Sequence, residues 1–374
     1  MKKPTHIAAL VPYRIYPAKM GGQKGIALFY RYLSELVPVT MITTCNNDSP
    51  EGMNANFLPV LSNSKSRYVN PFLFFSLRKI IRQNNCTHLI LEHPYYGWLG
   101  ILLKLFCKIE LVIHSHNIEA LRFKSTGKWW WKILLGYERF VHRKAGINFF
   151  ITDEDRDFAL KHFSLAPARC HTITYGSELS QAPPIPEKEN AAKVLKDIHH
   201  IANDEKILLF NGTLDYLPNQ QALDVILNEL TPALLGNPSL KYKIIICGKG
   251  LPDSYDELKA YASKNIIYAG FVNDIDIYFK GADLFINPVI EGGGIKTKVV
   301  EALGHGLTVV STQSGAIGVP PAITGNKLVS VFDGDWQGFA NAIATADTAS
   351  GIPDAFFGHF YWGNIAQKVK RIIS

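Results

Sequence analysis

The 374-residue sequence predicts an α/β protein of two doubly wound, Rossmann-like domains. Three observations carry this. Short apolar runs alternate with helix-spaced segments through the first half, the pattern of a parallel sheet with helices on both faces. The alternation stops at a proline-rich, charged stretch and then begins again. The length also exceeds what one hydrophobic core usually serves. No segment repeats at a fixed period.

Taken in order, His6–Val11 reads as the first strand, followed by a loop holding Gly21 and Gly22. Ile26–Leu36 has helical spacing and Val39–Thr43 is a second strand. Asn70–Gln83 reads as a helix, His88–Glu92 as a strand, Trp98–Cys107 as a helix and Leu111–His114 as a strand. Lys128–Lys144 is a basic, aromatic helix. Asn148–Thr152 is a strand, Asp153 a cap for the helix Glu154–His162, and Cys170–Thr174 a strand. The run Gln181–Asn190, with three prolines in four residues, resembles a linker. Beyond it come strands Lys206–Asn211, Tyr242–Cys247, Ile266–Tyr268, Leu284–Asn287, Leu307–Ser311 and Leu328–Phe332. Helices are expected at Gln220–Asn228, Asp253–Lys264, Asp274–Lys280 and Trp336–Ala346. Tyr361–Ile373 closes the chain with an apolar stripe of Trp362, Ile365, Val369 and Ile372. The expected organisation is a first domain over 1–180, a linker and entry over 181–204, a second domain over 205–355, and a last helix over 356–374.

Hydrophobic residues make up 47% and charged residues 19%, as in globular proteins, and no window approaches the length of a membrane span. The opening MKKPTHIAALVPYR reads as a buried strand rather than a signal peptide. Five scattered cysteines without paired spacing fit a reducing cytoplasm and argue against a zinc site. The net charge of +7 suits nucleic acid, anionic lipid or phosphorylated ligands. Without a helix-turn-helix, zinc-finger or RNP-like pattern, nucleic acid is set aside. The tryptophans at 129–131 either pack on the sheet or lie against anionic headgroups, which would make the protein peripheral to the inner membrane face.

The most informative stretch is 285–318. A strand ends at Pro288, the triplet Gly292-Gly293-Gly294 follows, and a helix then carries Lys296, Lys298 and Glu301. A glycine-rich turn opening a helix presents free N–H groups and a positive dipole end, which suit a phosphate. The two lysines add charge for a diphosphate, and Glu301 is an acceptor for ribose hydroxyls. The alternative is an ordinary tight turn between strand and helix.

These residues are similar to the donor motif of family 4 glycosyltransferases. The resemblance extends in order along the chain. It takes in Gly21-Gly22, His116-Asn117-Ile118-Glu119 with Arg122, Phe210–Tyr216 with Pro218-Asn219, Cys247–Gly250, Gly270–Asp274, and Tyr361-Trp362. The resemblance implies a GT-B fold, with two domains facing across a cleft and the last helix crossing back to the first. It implies a retaining transfer of a sugar from a nucleotide sugar to a saccharide or lipid-linked saccharide acceptor, in cell-surface polysaccharide synthesis. His116, Lys298 and Glu291 become the catalytic candidates. Gly212, Thr213, Phe271, Val272, Gly292, Gly293, Gly294, Lys296, Lys298 and Glu301 are the donor-binding candidates. Gly21 and Gly22 are the phosphate or acceptor loop.

The sequence departs from the pattern in three places, one of them Tyr175-Gly176-Ser177-Glu178, which stands where Asn-Gly-Val-Asp is usual before the linker. Nine residues rather than seven separate Glu291 from Glu301, which weakens Glu291 as a sugar contact. The Arg and Lys usual after the second domain's first strand are replaced by Gly212–Tyr216, so Lys296 and Lys298 are the cations left to meet the diphosphate. No cofactor or metal is expected, because Asp274-Ile275-Asp276 reads as a helix cap rather than a metal motif. A bond to a loop carbonyl is an equal reading for His116, and core packing is an alternative reading for Phe271 and Val272. A nucleotide-sugar epimerase and a non-catalytic sugar-nucleotide binder are the competing functions.

Overall fold

The computed structural model describes residues 4–18, 21–50 and 52–374. The chain divides into two compact units, Met1–Gly176 with Trp362–Ser374, and Ser177–Tyr361. Each is a parallel sheet flanked by helices.

The first unit contains β1 (Ile7–Leu10), β2 (Val39–Thr44), β3 (Asn56–Leu61), β4 (His88–Glu92), β5 (Glu110–Ser115), β6 (Ile147–Phe150) and β7 (Cys170–Thr172), in the order β3-β2-β1-β4-β5-β6-β7. β1 is an interior strand, between β2 and β4, and all four of its residues are buried. The strand order reverses between β1 and β4, and ligands of such sheets bind beyond the strand carboxyl ends at that point. The closing helix, Trp362–Ile373, belongs to this unit. Its Trp362 ring meets Phe29 and Tyr175, and Lys368 Nζ donates to Thr172 O at 2.8 Å.

The second unit contains β8 (Lys206–Asn211), β9 (Tyr242–Cys247), β10 (Ile266–Gly270), β11 (Leu284–Asn287), β12 (Thr308–Thr312) and β13 (Leu328–Val331), in the order β10-β9-β8-β11-β12-β13. The reversal here lies between β8 and β11. Leu208, Phe210, Ile244, Ile246, Leu284 and Ile286 form the centre of its core.

Five sequence expectations are corrected. The edge strand β3 is absent from the sequence reading, because Pro59 and a mostly solvent-facing pattern hide it. Much of the expected linker is the helix Ile185–His199, whose prolines sit at its start, where a missing N–H costs nothing. This helix is tied into the second unit by Lys188 Nζ on Gly306 O at 3.2 Å. Asp253–Lys264 is broken by left-handed backbone at Asp256, Glu257 and Leu258, so it is not one α-helix. Gly21 and Gly22 open the helix Gly21–Ser34 rather than standing in a loop. Thr152 rather than Asp153 caps Asp153–Phe163, accepting from Asp155 N at 3.1 Å. Asp274 does cap its helix, accepting from Asp276 N at 3.0 Å.

Candidate active site

In the second unit, the switch point brings the ends of β8 and β11 together. Gly292 and Gly294 adopt φ of 90° and 68°, which a side chain would strain, and the triplet runs into the helix Thr297–Gly304. A Cβ at Gly292 would lie 3.5 Å from Pro218 and 3.6 Å from the Tyr216 hydroxyl, so the segment after β8 backs the triplet. Lys296 Nζ donates to Gly292 O at 2.5 Å and Gly294 O at 3.0 Å, bracing the loop. Lys298 Nζ donates to Asn211 O at 3.2 Å and Asn219 Oδ1 at 3.0 Å, and stands 4.3 Å from the Phe210 ring centroid. Asn219 Nδ2 in turn donates to Thr213 O at 2.9 Å. Gly212 must be small, since a Cβ there would meet Asn219 at 2.7 Å.

Burial pushes Lys296 down to about 8. Burial, with the charge of Lys296 adding to it, pushes Lys298 down to about 7. Two lysines therefore sit at the start of one helix with their charged forms destabilised, a state that a bound polyanion would relieve. Glu301 lies one turn beyond Lys298 on the same helix. The structure thus braces the triplet through Lys296 and ties Asn211, Asn219 and Thr213 together through Lys298, with Gly212 close against Asn219. Glu291 is exposed in the segment before the triplet. Phe271 and Val272 follow the edge strand β10, and Phe271 is 70% exposed, so it does not serve the core.

In the first unit, a cavity of about 650 Å³ opens at the switch point, lined by Tyr13, Gly22, Tyr68, His93, Tyr95, His116, Asn117, Glu119, Arg122 and Tyr137. Behind it, buried Glu92 accepts from Tyr30 Oη at 2.6 Å and meets His114 Nδ1 at 3.1 Å and His116 Nε2 at 2.6 Å. Burial alone would raise Glu92, but His114 and His116 hold it well below the usual carboxylate range. Burial, then the charge of His93, takes His116 down to about 4 against the pull of Glu92. His116 is accordingly neutral near pH 7. With an ionised carboxylate at Nε2, that nitrogen carries the proton and Nδ1 is left as an acceptor. His114 is buried, as expected from its position on β5, and packs on Phe29 and Phe149.

A second carboxylate repeats the arrangement. Glu119 lies 3.3 Å from His93 Nδ1, accepts from Tyr95 Oη at 2.7 Å, and holds Arg122 three residues on. His93 stacks on His116 with centroids 4.6 Å apart. Its backbone has φ 66° and ψ 158°, a region that costs a non-glycine residue about 1–3 kcal/mol and that clusters at functional sites. Glu92, His114 and His116 have the ligand types of a metal centre. Tetrahedral metal ligands stand roughly 3.3 Å apart, however, and the 2.6 Å between His116 and Glu92 is a hydrogen bond.

Glu92, His93 and Tyr95 are site residues that the sequence reading does not single out, and Asn219 appears there only within the Pro218-Asn219 match, with no role given to it. Glu92 and His93 stand at a strand carboxyl end, the signal that could have found them.

Two parallel sheets of this order, with the closing helix returned to the first unit, define a GT-B fold. HepE of Anabaena in complex with UDP has the same fold: TM-score 0.71 at 14% identity, covering 98% of this chain and 99% of that one. Residues 21–181 match the family described as Glycosyltransferase Family 4, and residues 205–346 match Glycosyl transferases group 1. Each unit therefore carries a match to a glycosyltransferase family, the first to family 4 and the second to group 1. The chain is 31% identical over 275 residues to an uncharacterised protein of the cps region of Klebsiella pneumoniae, a match covering 70% of this chain and 64% of the relative. The match thus spans under two thirds of that relative's length. It is 25% identical over 332 residues to the chitobiosyldiphosphodolichol beta-mannosyltransferase of Debaryomyces hansenii, covering 81% of this chain and 70% of that protein.

Proposed function

We propose that the protein transfers a sugar, with retention and without a metal, from a nucleotide-sugar donor to a saccharide or lipid-linked saccharide acceptor in cell-surface polysaccharide synthesis. The observation that carries this reading is the Lys298 ammonium, desolvated and braced at the start of Thr297–Gly304 beside the glycine triplet. When the bond from the anomeric carbon to the diphosphate breaks, negative charge gathers on the departing diphosphate. The triplet N–H groups, the helix dipole and both lysines offset that charge without reorganising. Glu301 accepts from the ribose, and exposed Phe271 offers a face to the base. His116, a neutral acceptor, is the contact to the reacting sugar. Support for the acceptor class comes from the relative in Debaryomyces hansenii, a chitobiosyldiphosphodolichol beta-mannosyltransferase, and from the cps region of the bacterial one.

The tyrosine-lined cavity of the first unit is the proposed acceptor site, since aromatic faces and paired polar groups suit a sugar ring. No helix of the described residues is long and apolar enough to cross a membrane. A peripheral position on an anionic inner face, through Trp129–Trp131, is supported by Trp129 being 82% exposed.

A thermal-shift screen against uridine and guanosine diphosphates and their sugars tests the donor reading, because a ligand of the native state raises its stability. A rise with one base and not the other supports it. A flat response to all of them removes it.

A further inference from the structure

The basic charge of this chain is concentrated in one place. Residues 65–144 hold fourteen lysines and arginines against four aspartates and glutamates, a balance of +10 where the whole chain has +7, so the remaining residues are net acidic. The imbalance is sharper at the surface. Glu92, Glu119 and Glu138 are buried, and Glu110 is paired with Lys104 at 3.3 Å. Lys65, Lys79, Arg82, Lys108, Lys124, Lys128, Lys132, Arg139, Arg143 and Lys144 are all exposed.

The same segment exposes large apolar side chains. Phe72 is 74% exposed, Phe75 64%, Leu105 69% and Phe106 59%, and Phe74 ties the two pairs together with ring centroids 5.5 Å from both Phe75 and Phe106. These residues lie at the start of the helix Leu73–Gln83 and the end of Gly97–Cys107, with Arg82 and Arg78 acting on the neighbouring Cys107. Ile133 and Phe140 are exposed along the helix Trp131–Lys144, seven residues apart and so on one face. The three helices follow strands that step in one direction across the sheet, from β3 through β4 and β5 to β6. Right-handed crossovers place them on one face, where they pack side by side.

We infer that this helical layer docks on an anionic lipid bilayer, with Phe72, Phe75, Leu105 and Phe106 entering the acyl boundary and the surrounding cations meeting headgroup phosphates. A protein partner's core patch would be depleted of charge, whereas here the apolar ridge adjoins Arg78 and Arg82 and shares its helical layer with the exposed cations named above. The inference deepens the peripheral reading above by moving the principal contact from the tryptophans to the phenylalanine ridge.

The experiment is co-sedimentation of the full chain with phosphatidylcholine vesicles, with and without phosphatidylglycerol, at low and high salt. Expected is binding only when the anionic lipid is present, weakened by salt. Phe72→Ser with Phe106→Ser should lower partitioning by on the order of tenfold per residue, with thermal midpoint and nucleoside-diphosphate affinity unchanged. If that variant folds poorly, Lys79→Glu with Arg82→Glu should show the same loss. Wild-type failure to bind the anionic vesicles overturns the inference and leaves sugar transfer standing. Normal binding by the phenylalanine and charge variants, with loss in Trp129→Ser alone, overturns it and leaves peripheral attachment through the tryptophans. A concentration-dependent dimer disrupted by Phe72→Ser and Phe106→Ser would show a second copy to be the occupant, and would also overturn it.

Discussion

Lys298→Met removes one charge from the donor cluster while keeping an unbranched chain over Phe210. In the wild type, Nζ donates at 3.2 and 3.0 Å to Asn211 O and Asn219 Oδ1, and its charged form is disfavoured, with a pKa of about 7. A hydrogen bond to an ionised partner contributes about 1.5–3 kcal/mol, so losing the one to the diphosphate should weaken binding by about 10- to 150-fold. The pH dependence separates charge from packing. A bound diphosphate favours the ammonium, so the complex holds this proton more tightly than the free protein. Affinity should be full below about pH 7 and fall as pH rises, approaching tenfold per pH unit where binding takes up one proton. In the variant the fall should begin later, near 8, where Lys296 titrates. The assay is calorimetric titration of a nucleotide sugar, whose phosphates do not titrate in this window. Unchanged affinity in the variant, or an unchanged onset of the fall, would refute the assignment. In the absence of ligand, the unfolded chain, with Lys298 near 10.5, binds more protons than the folded one. This lysine therefore makes stability rise with pH between about 7 and 10.5, and the variant should lack that part of the rise.

Other perturbations follow from the same geometry. Glu301→Ala should reduce nucleotide affinity about tenfold or more while leaving the thermal midpoint in place, as read by titration and melting. His116→Ala should lower kcat more than nucleotide affinity; a change in affinity alone would remove it from the reacting centre. Glu92→Gln should destabilise the first unit by about 1–3 kcal/mol in denaturant unfolding. Because Glu92 is held below its unfolded value of 4.5, its contribution is complete above that pH and is lost as pH falls, so the variant should lose less stability on acidification.

The sequence showed most of the fold because buried strands such as Ile7–Leu10 and Tyr242–Cys247 are continuous apolar runs. It concealed β3, which has little to bury, and the helix Ile185–His199, whose prolines resemble a linker until they are seen at its first turn. In the donor cluster, glycines and lysines were legible as a local pattern. Asn219 was not singled out as a ligand of the lysine, because its bond to Lys298 spans 79 positions. Glu92 was hidden for the same reason, its partners Tyr30 and His116 lying 62 and 24 positions away. A strand glutamate reveals its role only once the sheet places it between two histidines.

The central claim, sugar transfer, is tested most directly by incubating the full chain with a panel of uridine and guanosine nucleotide sugars, in chelator, with and without saccharide acceptors, and following products by NMR. The account predicts release of nucleoside diphosphate that depends on an acceptor, with the donor's anomeric configuration kept in the product and the release lost in Lys298→Met. An epimer of the donor formed without acceptor, or donor binding with no diphosphate released for any acceptor, would contradict it.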